Sequence, residues 1–341
     1  MITADTIKVE VARDAVSSHD PDFFGESSYK SAEGKILRFE RMEKGRPLGL
    51  SRVDIYDEKA QFEFSAKILG SDYCHGITAE TVQAVPSLFS RSGKIEVREA
   101  EFFDTAKVYC LHVATNTRPS NLRDAIYAAS LGSLNSRWRY SNYGAVRDEG
   151  FVFAHRSKSR KVRLSGYDKF REMNSNGKAK YAQELRADLL SGVLRLETQL
   201  KSFREIREYL QVGVVGENIS LLEALGSSAN PNLRIFDEVI YSVTSGADAR
   251  ILEIDEMWNS LRNNGMRQTK EIWFMKHVFD LYEGEWQRIE EFVRFAYASN
   301  PSREIGKWKK ALAMWKLAKE QDTGTALRAI EEVRDLLAAA A

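Results

Sequence analysis

The spacing of apolar residues changes near residue 200, and this change constrains the fold more than any other feature of the chain. Upstream, short runs alternate apolar and polar side chains with the period of two that puts one strand face in a core. Such runs are Ser51-Arg-Val-Asp-Ile-Tyr56, Gln61-Phe-Glu-Phe-Ser-Ala-Lys-Ile-Leu69, Lys94–Arg98, Ala106–Val113, Phe151–His155, Lys161–Tyr167 and Gly192–Leu200. Two helices interrupt them. One covers Thr78–Phe89, where Pro86 predicts a kink or an early end, and one covers Pro119–Leu131, with Ser120 as its cap. Asn174–Lys178 reads as a turn. Downstream, segments of period 3.6 follow one another at 202–211, 219–226, 233–245, 250–264, 267–282, 284–297, 302–320 and 324–339. The expected fold class is therefore α+β: an antiparallel sheet with helices on one face, followed by a mainly α-helical C-terminal region. The boundary is placed between 1–215 and 216–341.

Composition narrows the class. Of the 341 residues, 43% are hydrophobic and 29% charged, which excludes a mostly disordered chain. No run approaches the roughly 18 apolar residues of a membrane span. The N-terminus lacks the basic-then-apolar pattern of a secretory signal. Cys74 and Cys110 are too few for a disulfide framework or a four-thiolate zinc site, so a reducing cytoplasm is expected. The phosphate-binding Gly-Lys-Ser/Thr loop, the dinucleotide fingerprint, His-Glu-x-x-His and Gly-x-Ser-x-Gly are all absent.

Charge supplies the positive signal. The net charge is only +1, yet residues 1–216 hold 34 basic and 29 acidic side chains. Between Arg137 and Arg171 ten basic residues face three acidic ones, interleaved with Trp138, Tyr140, Tyr143 and Tyr167. Phosphate contacts combined with base stacking use this mixture, although a solvated basic face would look the same. Arg139, Arg156, Lys158, Arg160, Lys161 and Arg163 are the expected DNA contacts. On a strand, Lys161 and Arg163 should face DNA while Val162 and Leu164 enter the core. A tyrosine among such cations is a candidate nucleophile, because positive charge favours the phenolate. Tyr167 fits that role, and Lys169 two residues on would neutralise the phosphorus transition state.

Three segments in order carry a resemblance to a known family. Lys161-Val-Arg-Leu-Ser-Gly-Tyr-Asp-Lys-Phe-Arg-Glu172 resembles the strand and Tyr-Asp-Lys-x-x-Glu signature of the gene II/X replication initiators of filamentous phages and related rolling-circle plasmid initiators. Leu194-Arg-Leu-Glu-Thr-Gln-Leu200 is similar to their Leu-Arg-x-Glu-x-x-Leu strand, and Phe62-Glu-Phe-Ser-Ala-Lys-Ile-Leu69 to their Glu-Phe-Ser-x-x-Lys-Leu-Leu segment. The resemblance spans roughly residues 50–210 and implies an HUH-type nuclease core. It implies that Tyr167 cuts one strand at an origin, retains the 5′ end as a phosphotyrosine, frees a 3′-OH for rolling-circle synthesis and later rejoins the ends. It also implies Mg²⁺ or Mn²⁺, origin DNA as partner, contact with a host helicase or replisome, a homodimer, no membrane, and a bacterial host cytoplasm.

The metal ligands are where the chain departs from that pattern. Its paired histidines are reduced to His112, and its Arg-x-Asp strand falls at Phe102-Phe103-Asp104 without the arginine. Asp104, His112 and Glu197 are the candidate ligands. Against ligation, His112 reads as a core histidine ending an apolar strand, Glu197 as a carboxylate paired with a neighbouring arginine, and Asp104 as a turn residue. His75 and His155 read as structural. Arg267–Phe279 and Lys307–Lys319, with Trp308 and Trp315 one heptad apart, read as packing helices or else as an origin- or helicase-docking face. Two other readings stand beside the first: a non-catalytic DNA-binding protein, and a plasmid-mobilising relaxase.

Overall fold

The computed structural model describes residues 2–340 except 31–34, 130–136, 144–148, 176–183, 242–273, 299–300 and 321–322, and without the side chains of 303, 310 and 313–327. The strands are β1 (Ala4–Ala12), β2 (Val16–His19), β3 (Phe24–Lys30), β4 (Ile36–Met42), β5 (Leu50–Ile55), β6 (Lys59–Ser65), β7 (Ile95–Val97), β8 (Lys107–Thr117), β9 (Trp138–Asn142), β10 (Gly150–His155), β11 (Val162–Asp168) and β12 (Leu194–Leu200). Ten of them form one sheet in the order β3-β4-β5-β6-β1-β8-β12-β11-β10-β9, while β2 and β7 pair apart. Every neighbouring pair is antiparallel.

The helices are α1 (Val85–Ser90), α2 (Glu99–Thr105), α3 (Leu122–Ala129), α4 (Lys169–Met173), α5 (Phe203–Leu210), α6 (Leu221–Gly226), α7 (Pro231–Phe236), α8 (Trp286–Ala296), α9 (Pro301–Glu320) and α10 (Thr323–Ala339). The fold is thus α+β, with a large antiparallel sheet and C-terminal helices. Pro86 does not kink a helix; it occupies the first turn of α1, where no backbone N–H is required. The expected cap Ser120 instead donates its N–H and hydroxyl to Glu332, and Asn121 accepts from the backbone N–H of Arg123 and Asp124 to start α3.

Side-chain alternation gives the sheet two unlike faces. Ile7, Val9, Phe62, Phe64, Leu111, Leu164 and Leu196 are buried in one core with Ile206 of α5, Leu221 of α6, Ile235 of α7 and Ile330 of α10. Phe62 anchors it, stacked on Phe89 at 5.1 Å and meeting Phe102 edge-on at 5.7 Å. The boundary expected at 215/216 therefore falls inside a continuous core, because helices on both sides of it cover the same apolar sheet face. A second core is smaller: Met275, Val278, Phe279, Ile289, Val293, Trp308 and Leu312 pack together. Trp308 is a packing residue there. The expected helix at 250–264, much of the 267–282 segment and the side chain of Trp315 lie outside the described residues. Among the described residues no helix is long and apolar enough to cross a membrane.

Replacing Phe62 with Ala removes a ring from a filled core and should lower unfolding free energy by about 3–5 kcal/mol. Gln61→Ala, one residue away on the opposite face, should lower it by about 1 kcal/mol or less. Urea unfolding of the two variants checks this; equal losses would contradict the two-faced sheet.

Candidate active site and nucleic-acid interface

Directly paired residues of antiparallel strands share a face, so the strand register sets out the polar face in rows. Arg139, Ala154, Arg163, Gln199 and His112 form one row across β9, β10, β11, β12 and β8. The next runs Ser141, Val152, Ser165, Glu197 and Ala114, and the third carries Gly150, Tyr167, Arg195 and Asn116. The motif residues Tyr167, Glu197 and His112 thus reach one face from three neighbouring strands.

They also touch. The Tyr167 hydroxyl donates to Glu197 Oε2 at 3.0 Å. His112 Nδ1 lies 3.0 Å from Glu197 Oε1, which also accepts from Gln199 Nε2 at 3.2 Å. Burial opposes a charge on His112, but hydrogen bonds with Cys110 and Glu197 outweigh it and push its pKa up to about 9. Burial likewise opposes the Glu197 carboxylate, but the hydrogen bond and charge of His112 hold its pKa down at about 2. The pair is a histidinium–carboxylate, and Glu197 is paired with histidine, not with an arginine.

Two cations flank the tyrosine. Lys169, at the first turn of α4 behind the capping Asp168, is buried and donates to Glu172 Oε2 at 2.8 Å. Its Nζ sits 5.4 Å from the Tyr167 ring centroid and 5.3 Å from that of Tyr73. Burial lowers the Lys169 pKa, with the charge of Arg195 adding to the effect. Arg195, the arginine of the Leu-Arg-x-Glu-x-x-Leu strand, carries no site role in the sequence reading. It is 2% exposed and donates from NH1 to Asp5 at 2.6 Å and from Nε to Asn116 at 2.8 Å. One signal for it existed: it stands two residues before Glu197, hence on the same strand face. Its partners Asp5 and Tyr73 had none, being 190 and 122 residues away.

The tyrosine itself differs from expectation. It is 3% exposed, and burial followed by the Glu197 charge pushes its pKa well above the usual phenol value. The resting side chain is a neutral phenol, not a phenolate. Tyr143 stacks on it with centroids 4.2 Å apart and planes 6° from parallel. Gly150 makes room: at φ +149°, an added Cβ would lie 2.7 Å from Tyr167 Cβ and 2.2 Å from the Gly166 carbonyl oxygen.

The basic residues at the turn between β10 and β11 do not surround Tyr167. Lys158, Arg160 and Lys161 lie in the β10–β11 turn, at least about 17 Å from Tyr167 at roughly 3.3 Å per strand residue. Arg160 is half-buried and forked onto the Glu208 carboxylate at 2.9 and 2.8 Å. Arg156 is exposed and donates to the Trp138 carbonyl, and Arg139, Lys158 and Lys161 are exposed. Val162 and Leu164 are buried. Arg163 Nε and Ser165 Oγ, in adjacent rows of the polar face, are buried without hydrogen-bond partners.

Asp104 does not join the others. It is exposed on α2, a helix instead of the expected strand, whose Phe102 packs under Phe62 on the apolar side. Glu197 has both oxygens engaged by protein donors, and among the described residues no three His, Cys, Asp or Glu side chains are grouped to hold a metal. The donor set does not fit Mg²⁺ or Mn²⁺, which require several oxygen ligands.

No protein-family model matches the chain. No curated protein matches it either. Among solved structures, it is similar to the rolling circle replication initiator protein from Geobacillus stearothermophilus, at 12% identity and a TM-score of 0.28, over 60% of this chain and 76% of that one. A likeness this distant adds nothing about the site.

The His112–Glu197 pair sets a pH window. Glu197 is depressed, so its contribution is present above about 4.5 and is lost as pH falls toward 2. His112 is raised, so its contribution is complete below about 6.5 and is lost as pH rises through about 9. Thermal midpoints should therefore fall between pH 6.5 and 9, and His112→Gln should flatten that fall. Identical slopes in both proteins would show that His112 is not the titrating group.

Proposed function

We propose that the chain is a rolling-circle replication initiator of the gene II/X type, an enzyme that breaks and rejoins one strand of origin DNA through Tyr167. The carrying observation is the chain of contacts Tyr167–Glu197–His112: a hydroxyl bonded to a carboxylate that a third group orients, the geometry of a nucleophile and its proton acceptor. In the proposed reaction the Tyr167 oxygen bonds to phosphorus while its proton passes to Glu197. The bond from phosphorus to the 3′-oxygen breaks, and that oxygen takes a proton from water to become a 3′-OH. The 5′ side remains as a phosphotyrosine. Arg195 and Lys169 supply positive charge beside the reacting oxygen, which offsets the charge developing on the phosphoryl group. Rejoining is the same exchange in reverse. Arg163 and Ser165, with unpartnered buried donors, are suited to phosphate oxygens of the same strand. For attack, Tyr143 must leave the tyrosine face.

A second reading, a non-catalytic DNA-binding protein, is favoured by one observation: the resting phenol is covered and strongly protonated. Incubation with single-stranded origin oligonucleotides, with and without Mn²⁺, separates the two. The first reading predicts a covalent DNA adduct, its abolition by Tyr167→Phe, and a slowing of about 10²–10⁴-fold by Glu197→Gln. Single-strand binding without any adduct would establish the second.

A further inference from the structure

At the far end of the sheet the polar face changes character. Tyr29 of β3, Phe39 and Arg41 of β4, Arg52 of β5 and Tyr56 just beyond it share that face by register and surround a hollow of about 340 Å³. Phe39 forms its floor, with Tyr56 at 4.9 Å and Tyr29 at 6.1 Å between ring centroids. Arg41 lies over the Phe39 ring at 4.9 Å. Both arginines bind the fully buried Asp54, which holds the guanidinium groups in place and leaves one net positive charge. Their side chains remain 40% and 38% exposed, and Tyr29 is 46% exposed. The other lining residues include Ser27, Ser28 and Gln61, so the hollow is not a dry apolar seat for another protein.

We propose that this hollow is a second contact for single-stranded DNA, in which Tyr29 and Tyr56 stack bases while Arg41 and Arg52 face the phosphates. The proposal rests on the reading of the polar face as a single-strand surface. Rings give sequence-tolerant stacking, and exposed guanidinium groups fixed beside them complement a polyanion. From β4 to β11 there are six strand steps. At about 4.8 Å each, the hollow lies about 29 Å from Tyr167 along the sheet. One strand crossing the face would therefore be cut at one end and held at the other.

The test is fluorescence anisotropy with single-stranded DNA of two lengths, roughly 25 and roughly 6 nucleotides, which bracket usual site sizes. The double variant Tyr29→Leu/Tyr56→Leu keeps an apolar cover over Phe39, and Tyr29→Leu alone alters only a half-exposed ring. The expected result is roughly tenfold weaker binding of the long strand for each stacked ring removed, with the short strand unchanged. Unchanged long-strand affinity would overturn the proposal, as would equal losses at both lengths. Adduct formation on the short oligonucleotide is read in the same proteins. If it is missing from wild type while the length-dependent loss persists, the nicking function falls and the stacking site stands.

Discussion

Everything in this molecule depends on the register of one antiparallel sheet. Because side chains alternate across a strand, a single slipped residue would send every apolar group to the polar face. Ten strands keep the alternation: Ile7, Phe62, Leu111, Leu164 and Leu196 go to the helices, while Lys8, Gln61, His112, Arg163 and Glu197 go to the other side. The β1–β8 pairing absorbs register shifts between Ala4 and Thr6 and between Lys8 and Val9 without losing that division. Burial of the apolar face stabilises the sheet, and the same geometry gathers ionisable groups from strands far apart in sequence.

The gathered groups are held in an electrostatic balance. Arg195, Lys169 and Glu197 are all buried, and an unpaired buried charge would cost several kcal/mol each. Each is offset by a partner: Asp5 for Arg195, Glu172 for Lys169 and His112 for Glu197. The set positions Tyr167 among alternating charges while leaving it protonated. In the proposed reaction, a phosphate arriving beside Arg195 and Lys169 would meet two cations whose present partners are carboxylates.

How far the sequence speaks for this site differs residue by residue. The period of two located β5, β6, β7, β8, β10, β11 and β12, and with them Tyr167, His112 and Glu197. The reading left out β1, although Ile7, Val9 and Val11 alternate there with Lys8 and Glu10, and it left out β4 and the size of the sheet. Asp104 was misplaced because Glu99–Thr105 carries two adjacent phenylalanines, which fit a strand or a short helix equally well. Nothing in sequence shows that Arg160, an expected DNA contact, comes within hydrogen-bond distance of Glu208 of α5. Asp5 and Tyr73 were invisible for the same reason: only the strand order β1-β8-β12 brings Asp5 to Arg195.

On the proposed function, one face of the sheet is the DNA surface. Covalent labelling of arginine and tyrosine side chains, read by mass spectrometry with and without a single-stranded oligonucleotide, tests it most directly. Protection is expected at Arg139, Arg163, Arg41, Arg52 and Tyr29, with labelling of Arg234 and Arg334 on the helical side unchanged. Protection confined to Arg234, Arg334 and the other helical side chains would contradict it.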